Sequence, residues 1–149
     1  MEIKKATKKD FDNYSRLRKL CNKEYSKITK EKIKVSNKQM KGEFRKFVSS
    51  PKQIILFITD NKKDIGYLSG TFFKGLYKKT GYIDDIFIFE KFRKKGYAIL
   101  LISEFCSLLN KKGFDNCELG VYPNNKKAIS LYKKLDFKIT HYDMEKNLK

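Results

Sequence analysis

A strand, a basic turn and a long helix follow one another without a break over residues 82–109, in the run YIDDIFIFEKFRKKGYAILLISEFCSLL. Residues 82–89 are β-branched and aromatic apart from Asp84 and Asp85, the pattern of a central strand covered on both faces. The last part is an apolar helix. Between them Phe92-Arg93-Lys94-Lys95-Gly96-Tyr97-Ala98 forms a basic turn, with a glycine and then an alanine where the helix begins. A helix start leaves backbone N–H groups unpaired and carries partial positive charge, and small residues let an anion approach that backbone. The turn is therefore an anion cradle, and a pyrophosphate would suit it.

The two aspartates interrupt a strand that otherwise reads as core. An unpaired carboxylate there is costly, so each calls for a reason. Adjacent strand residues point to opposite faces, and only one of the pair can look into a given cleft unless a bulge intervenes.

The rest of the chain arranges itself around this unit. Residues 2–7 read as a first strand, with Thr7 able to cap the helix that follows. Phe11, Tyr14, Leu17, Leu20, Cys21 and Tyr25 recur at helical spacing, which predicts an amphipathic helix over 9–26. Residues 28–36 are charged and unpatterned, as a loop is. A second helix starts at Asn37, carries Met40, Phe44, Phe47 and Val48 on one face, and stops at Ser49-Ser50-Pro51. Strands are expected over 53–59 and 65–74, joined by the hairpin Asp60-Asn61-Lys62-Lys63-Asp64, and a second hairpin through 78–81 leads into the central strand. Gly66 and Gly70 within the second of these strands are read as a bend or a close approach, or equally as packing choices. After the long helix Lys112-Gly113 closes it, residues 114–122 read as a strand, Pro123-Asn124-Asn125 opens a last helix, and 138–148 reads as one or two closing strands.

With 149 residues, 40% of them hydrophobic and 14% aromatic, this is one domain with a real core. The first ten residues, MEIKKATKKD, have no apolar core behind their lysines, so no secretory leader is read there. No apolar run approaches the ~20 residues of a membrane span. Cys21, Cys106 and Cys117 are odd in number and lie in apolar patterns, as free thiols do in a reducing compartment, which points to the cytoplasm. A net charge of +18 raises the question of nucleic acid, but the lysines are scattered in pairs through every helix and loop. A solvated, lysine-biased surface explains them without a nucleic-acid partner. His141 is alone, so a histidine-based metal site or nucleophile triad has little to build on.

The spacing Arg93-x-x-Gly96-x-Ala98 between a strand and a helix resembles the acyl-CoA signature of the GCN5-related N-acetyltransferase (GNAT) family. A second block, LGVYPNNKKAISLYKKLDF over 119–137, is similar to the same family's strand, Asn-x-x-Ala and Leu-Tyr-x-x-x-Gly-Phe, with Asn125, Ala128, Leu131, Tyr132 and Phe137 in register. Asp136 stands where the family usually has glycine; aspartate can take the left-handed conformation that ends a helix, less readily than glycine. The order of elements, strand, two helices, three antiparallel strands, helix, strand, helix, strand, is that of an α+β domain with a sheet covered on both faces. It matches the α/β/α sandwich of the GNAT acyltransferases, a mixed and mostly antiparallel sheet in one domain over residues 1–149.

The resemblance implies an acetyl-CoA-dependent N-acetyltransferase that needs no metal and works by direct attack of an amine in a ternary complex. A lysine-like amine of pKa ~10.4 is almost wholly protonated at pH 7, so a general base is useful. Asp84 and Asp85 are the candidates, with Asp84 favoured; the competing reading is that one of them pairs with a lysine or caps a strand. Tyr132 is the candidate general acid for the departing thiolate, against a plain half-buried helix tyrosine. Backbone groups of Ile86, Phe87 and Ile88 would pair with the pantetheine arm, and Arg93, Lys94, Lys95, Gly96, Tyr97 and Ala98 would hold the pyrophosphate. Asn125 would line the arm, cap the last helix, or do both. The acceptor, a small molecule or a protein amine, stays open, although the positive surplus disfavours polycations unless Asp84, Asp85 and nearby acids make a local negative pocket. Family members often dimerise, so a homodimer is expected among the options. Two other readings compete: a CoA-binding adaptor that has lost turnover, and a basic nucleic-acid-associated protein.

Overall fold

The computed structural model describes residues 1–148. Its elements are β1 (Glu2–Lys5), α1 (Phe11–Thr29), α2 (Asn37–Ser49), β2 (Gln53–Asp60), β3 (Lys63–Lys74), β4 (Lys79–Ile88), α3 (Tyr97–Lys111), β5 (Asn116–Leu119) and α4 (Lys126–Lys134), with 3-10 turns at Lys8–Asp10 and Glu90–Phe92. The five strands form one sheet in chain order. Neighbours from β1 to β4 are antiparallel, and β4 and β5, separated by α3, are parallel.

Local chemistry sets the joints. Thr7 and Asp10 form a capping box ahead of α1, and Ser36 and Gln39 form another at the start of α2. Asn61 and Lys62 take positive φ angles of 48° and 62°, as the two central residues of a type I′ hairpin must. Gly113, at φ 67°, ends α3 with its N–H on the Asn110 carbonyl.

Each face of the sheet is buried under two helices. On one, Tyr14, Leu17 and Cys21 of α1 and Phe44 of α2 pack on Ile55, Phe57, Tyr67 and Phe87. On the other, Leu101, Ile102, Phe105 and Leu109 of α3 pack on Ile54, Leu56, Leu68, Phe72 and Ile83, with Leu131 and Tyr132 of α4 at the margin. The α3 helix lies so close that a Cβ on Gly70 would meet the Phe105 ring at 2.5 Å and one on Gly81 would meet Leu109 at 2.2 Å. Close approach is thus the reason for Gly70, and no bend is needed.

Several boundaries differ from the sequence reading. The first helix continues to Thr29, beyond residue 26. The strand expected over 114–122 is only Asn116–Leu119, because pairing with β4 stops at Ile83–Leu119. Residues 138–148 form no strand.

Candidate active site

In β3 and β4, Ser69 pairs with Asp85 and Gly70 with Ile83, so Asp84 is the extra residue of a β-bulge. The bulge breaks the alternation of the strand. Ile83 and Ile86 pack with α3, whereas Asp84 and Asp85 both turn toward α1.

Their surroundings are nonetheless opposite. Asp85 is ion-paired with Arg18 of α1, accepts the Tyr67 hydroxyl at 2.6 Å, and accepts the Cys21 thiol at 3.4 Å. Burial pushes the Tyr67 hydroxyl far above its usual range, so Tyr67 remains a proton donor to this carboxylate. Asp85 therefore ties α1 to the sheet. Asp84 is exposed and has one hydrogen bond, from Thr71 Oγ1 at 2.7 Å. Desolvation by the adjoining helix and sheet raises its pKa, with the Thr71 hydrogen bond and the Arg18 charge opposing.

Beyond Ile83–Leu119 the two parallel strands no longer pair, and β4 runs on to Ile88 with its outer edge open. The Phe89 N–H bonds the Ile65 carbonyl, toward β3. By alternation Phe87 also faces β3, while Ile86 and Ile88 present their backbone groups to the open edge. Of the predicted trio, Ile86 and the Ile88 N–H can therefore pair with an extended ligand there, the Ile88 carbonyl being engaged by Arg93, and Phe87 cannot.

The turn after β4 delivers the chain to α3 through Lys94 at φ 61° and Gly96 at φ 80°. Gly96 is the N-cap and offers no side-chain acceptor, and the first helical bond runs from Leu100 N–H to the Gly96 carbonyl. The N–H groups of Tyr97, Ala98 and Ile99 are left for a ligand. The space a Cβ of Gly96 would occupy is empty to 4 Å. Arg93 is otherwise engaged: its Nη2 lies 2.6 and 2.7 Å from the Glu24 carboxylate and its Nε 2.8 Å from the Ile88 carbonyl. Lys94 and Lys95 are exposed, and Lys95 Nζ stands 5.8 Å from the Phe92 ring. The residues present thus fit a pyrophosphate held by backbone and by two lysines, with Arg93 bracing the turn.

Asn125 caps α4, accepting the Ala128 N–H at 3.3 Å, and Asn124 ties the same corner to the end of α1 through the Ile28 carbonyl at 2.8 Å. Tyr132 is half-buried in α4, and burial, reinforced by Tyr25, pushes its pKa up to about 12. It holds its proton at neutral pH. Tyr25 and Tyr122, both partly exposed, meet edge to face at 5.5 Å. A concavity of about 710 Å³ at Phe11, Arg16, Asp64, Phe89 and Phe92 includes none of these candidate residues.

Sequence reasoning missed Thr71, Arg18, Tyr67, Glu24 and Tyr25. Arg18 did leave a signal, since it sits four residues after Tyr14 and three before Cys21 on an otherwise apolar stripe. Thr71 left none, because its contact with Asp84 exists only through the bulge. Among the described residues no group of three or more His, Cys, Asp and Glu could hold a metal ion, and no helix is long and apolar enough to cross a membrane.

The same fold occurs in known proteins. A mutant of the BH1408 protein from Bacillus halodurans superposes with a TM-score of 0.88 at 26% identity, covering 100% of both chains. The aminoglycoside N-acetyltransferase AAC(6')-Iy in complex with CoA gives 0.83 at 14% identity, covering 98% of this chain and 93% of that one. The aminoglycoside acetyltransferase meta-AAC0020, from an uncultured soil metagenomic sample, in complex with sisomicin gives 0.79 at 15% identity, covering 99% and 96%. No curated protein matches in sequence. The sequence pattern of the Acetyltransferase (GNAT) family matches residues 15–137, most of the chain, and on that match the chain belongs to the GNAT family of acetyltransferases.

Proposed function

We propose that this protein is an acetyl-CoA-dependent N-acetyltransferase working by direct transfer in a ternary complex. The observation that carries the reading is the open edge of β4 at Ile86 and Ile88, which leads straight to the uncapped α3 N-terminus at Gly96. An extended arm ending in a pyrophosphate meets both at once. Acetyl-CoA supplies an acetyl group activated as a thioester.

The chain's own residues then have separable tasks. Ile86 and Ile88 dock the arm, and Tyr97 and Ala98 with Lys94 and Lys95 hold the pyrophosphate. Asp84, through water, takes the proton of the acceptor amine as its nitrogen bonds to the acetyl carbon. Tyr132 gives its proton to the sulfur as the carbon–sulfur bond breaks. Asp85 positions α1 and takes no proton, because Arg18 and Tyr67 hold it.

The acceptor is a primary amine that is zwitterionic, anionic or at most singly charged. Similar structures include enzymes named for aminoglycosides, which are polycations. Here Asp85 is neutralised by Arg18 and Glu24 by Arg93, leaving Asp84 as the acid open to an acceptor in a chain of net charge +18. A reducing cytoplasm and a homodimer complete the reading, the latter because family members often pair.

Calorimetric titration with acetyl-CoA at moderate salt tests it. Wild type binds and Gly96→Glu, which puts bulk and negative charge into the cradle, does not. Thiol release across a panel of amines then identifies the acceptor. Absence of binding to wild type overturns the proposal, and binding without thiol release on any amine favours the adaptor reading.

A further inference from the structure

Where the first half of α1 passes the start of β3, the surface falls into a concavity of about 710 Å³, inside the range of ~300–1,000 Å³ that small-molecule sites occupy. Its apolar wall is Phe11 and Leu20 of α1 with Phe89 and Phe92 from the turn after β4, and all four are partly exposed. The backbone fixes the two rings of the turn. Phe89 N–H bonds the Ile65 carbonyl at 2.8 Å, Phe92 N–H bonds the Phe89 carbonyl at 2.8 Å, and the rings meet at 6.2 Å. The wall is therefore formed before anything binds, which lowers the ordering cost of a ligand.

The rim is cationic. Arg16, Lys19, Lys63 and Lys91 line the concavity and are exposed. Arg16 Nη2 donates to the Asp64 carbonyl at 2.6 Å, which fixes the guanidinium there. Lys91 Nζ lies 5.5 Å from the Phe89 ring and 5.0 Å from the Phe92 ring, so a charge stands directly against the apolar wall. Two acids share the lining. The Asp64 carboxylate oxygens are buried, with Lys4 Nζ 3.3 Å from one of them, which leaves Asp12 as the exposed acid among the described residues of the lining. Over the whole chain Lys and Arg outnumber Asp and Glu 35 to 17. Among the exposed groups here four bases face one acid, an excess beyond the general lysine bias.

We propose that this concavity binds a small aromatic anion, with a flat apolar body against Phe89 and Phe92 and a carboxylate, sulfonate or phosphate among Arg16, Lys19, Lys63 and Lys91. An apolar wall alone would take any hydrophobe, and a cationic rim alone any anion. The two together select a molecule that is both. The place is separate from the candidate transfer site: Phe89 stands five residues beyond Asp84, about 16 Å at ~3.3 Å per residue of strand. Asp84, Gly96 and Tyr132 take no part in the lining.

Fluorescence titration of the full chain with anilinonaphthalene sulfonate, an aromatic monoanion, tests the proposal. Neutral phenylnaphthylamine supplies the same kind of body without the charge. Wild type is expected to take up the sulfonate saturably at a single site, and the neutral body about tenfold more weakly. Lys19→Glu combined with Lys91→Glu puts two carboxylates on the rim and should weaken the sulfonate about tenfold or more. Both lysines are exposed, and circular dichroism checks that the fold is kept. Lys127→Glu combined with Lys134→Glu changes the net charge equally on α4, outside the lining, and should leave the affinity within about twofold. Gly96→Glu should leave it within the same limits. Uptake that does not saturate overturns the proposal, as does equal binding of the neutral body. So does an equal loss in the α4 variant, which is attraction to the whole +18 chain, or a loss in Gly96→Glu, which puts the probe at the start of α3.

Discussion

Asp84 and Asp85 are consecutive residues whose carboxylates lie on the same side of the sheet, one bonded to Thr71 and the other to Arg18. A regular strand forbids this, and the bulge at Ser69/Gly70 permits it. The pair separates into two jobs, and two substitutions separate them experimentally. Asp85→Asn leaves the partly buried Arg18 without its counter-ion and is expected to cost about 3 kcal/mol in urea unfolding. Asp84→Asn is expected to leave stability within about 0.5 kcal/mol and to lower turnover about 10²- to 10⁴-fold with the amine found by the acceptor screen. Equal losses of stability in both variants would contradict the division.

In the proposed mechanism, Thr71 sets the pH range in which Asp84 would act. Desolvation by the neighbouring helix and sheet raises the Asp84 pKa above the usual 3.8, while the Thr71 hydroxyl and the Arg18 charge lower it. The base works only when ionised, so activity is lost as pH falls through that pKa. Thr71→Ala removes a lowering influence and moves the acid limb of kcat/KM to higher pH. Thr71→Ser keeps the hydroxyl and restores the limb. A limb that stays in place in Thr71→Ala would separate it from Asp84.

Tyr132, with its pKa pushed up to about 12, keeps its proton throughout the working range. Tyr132→Phe is expected to lower kcat about 10²-fold while leaving the calorimetric affinity for acetyl-CoA unchanged, since the ring and its packing against Phe137 survive. Lost affinity with unchanged kcat would make Tyr132 a binding residue instead.

Cys106 of α3 and Cys117 of β5 bring two half-buried free thiols together. A hydrogen bond from Cys117 lowers the Cys106 pKa to about 7. Alkylation of Cys106 should accelerate through neutral pH and level off above it, because the thiolate is the nucleophile. Cys117→Ala should shift that rise upward, toward an ordinary thiol, as followed by mass spectrometry of the labelled peptide.

What the sequence made legible was whatever is encoded within one element or one turn. The turn and helix start at Gly96, the cap at Asn125, the hairpin at Asn61 and Lys62 and the apolar faces of the helices all depend on residues a few positions apart. The engagement of Arg93 by Glu24 and of Asp85 by Arg18 depends on contacts across more than sixty residues, which no local pattern announces. The bulge lies between these extremes. Two aspartates in an apolar strand signalled that something was unusual, and only the pairing with β3 showed that both face α1. Residues 138–148 were misread for the same reason, since their alternation is local and the partner that makes a strand is not.

Asp136 tests how local strain feeds into the site. It takes φ 63° just after α4, its N–H bonds the Lys133 carbonyl, and the Phe137 N–H bonds the Tyr132 carbonyl. The 6→1 bond and the Phe137–Tyr132 ring contact at 5.8 Å are those of a Schellman motif. This cap, built around an aspartate in a conformation that glycine adopts freely, is what holds the Tyr132 ring. Asp136→Gly should therefore stabilise the protein by up to about 1 kcal/mol, and Asp136→Ala should destabilise it by about the same, as read by thermal or urea unfolding. Because the cap seats Tyr132, Asp136→Ala should also lower kcat, and Asp136→Gly should not. A glycine variant that is less stable than wild type would show that the Asp136 side chain contributes more than its backbone strain costs.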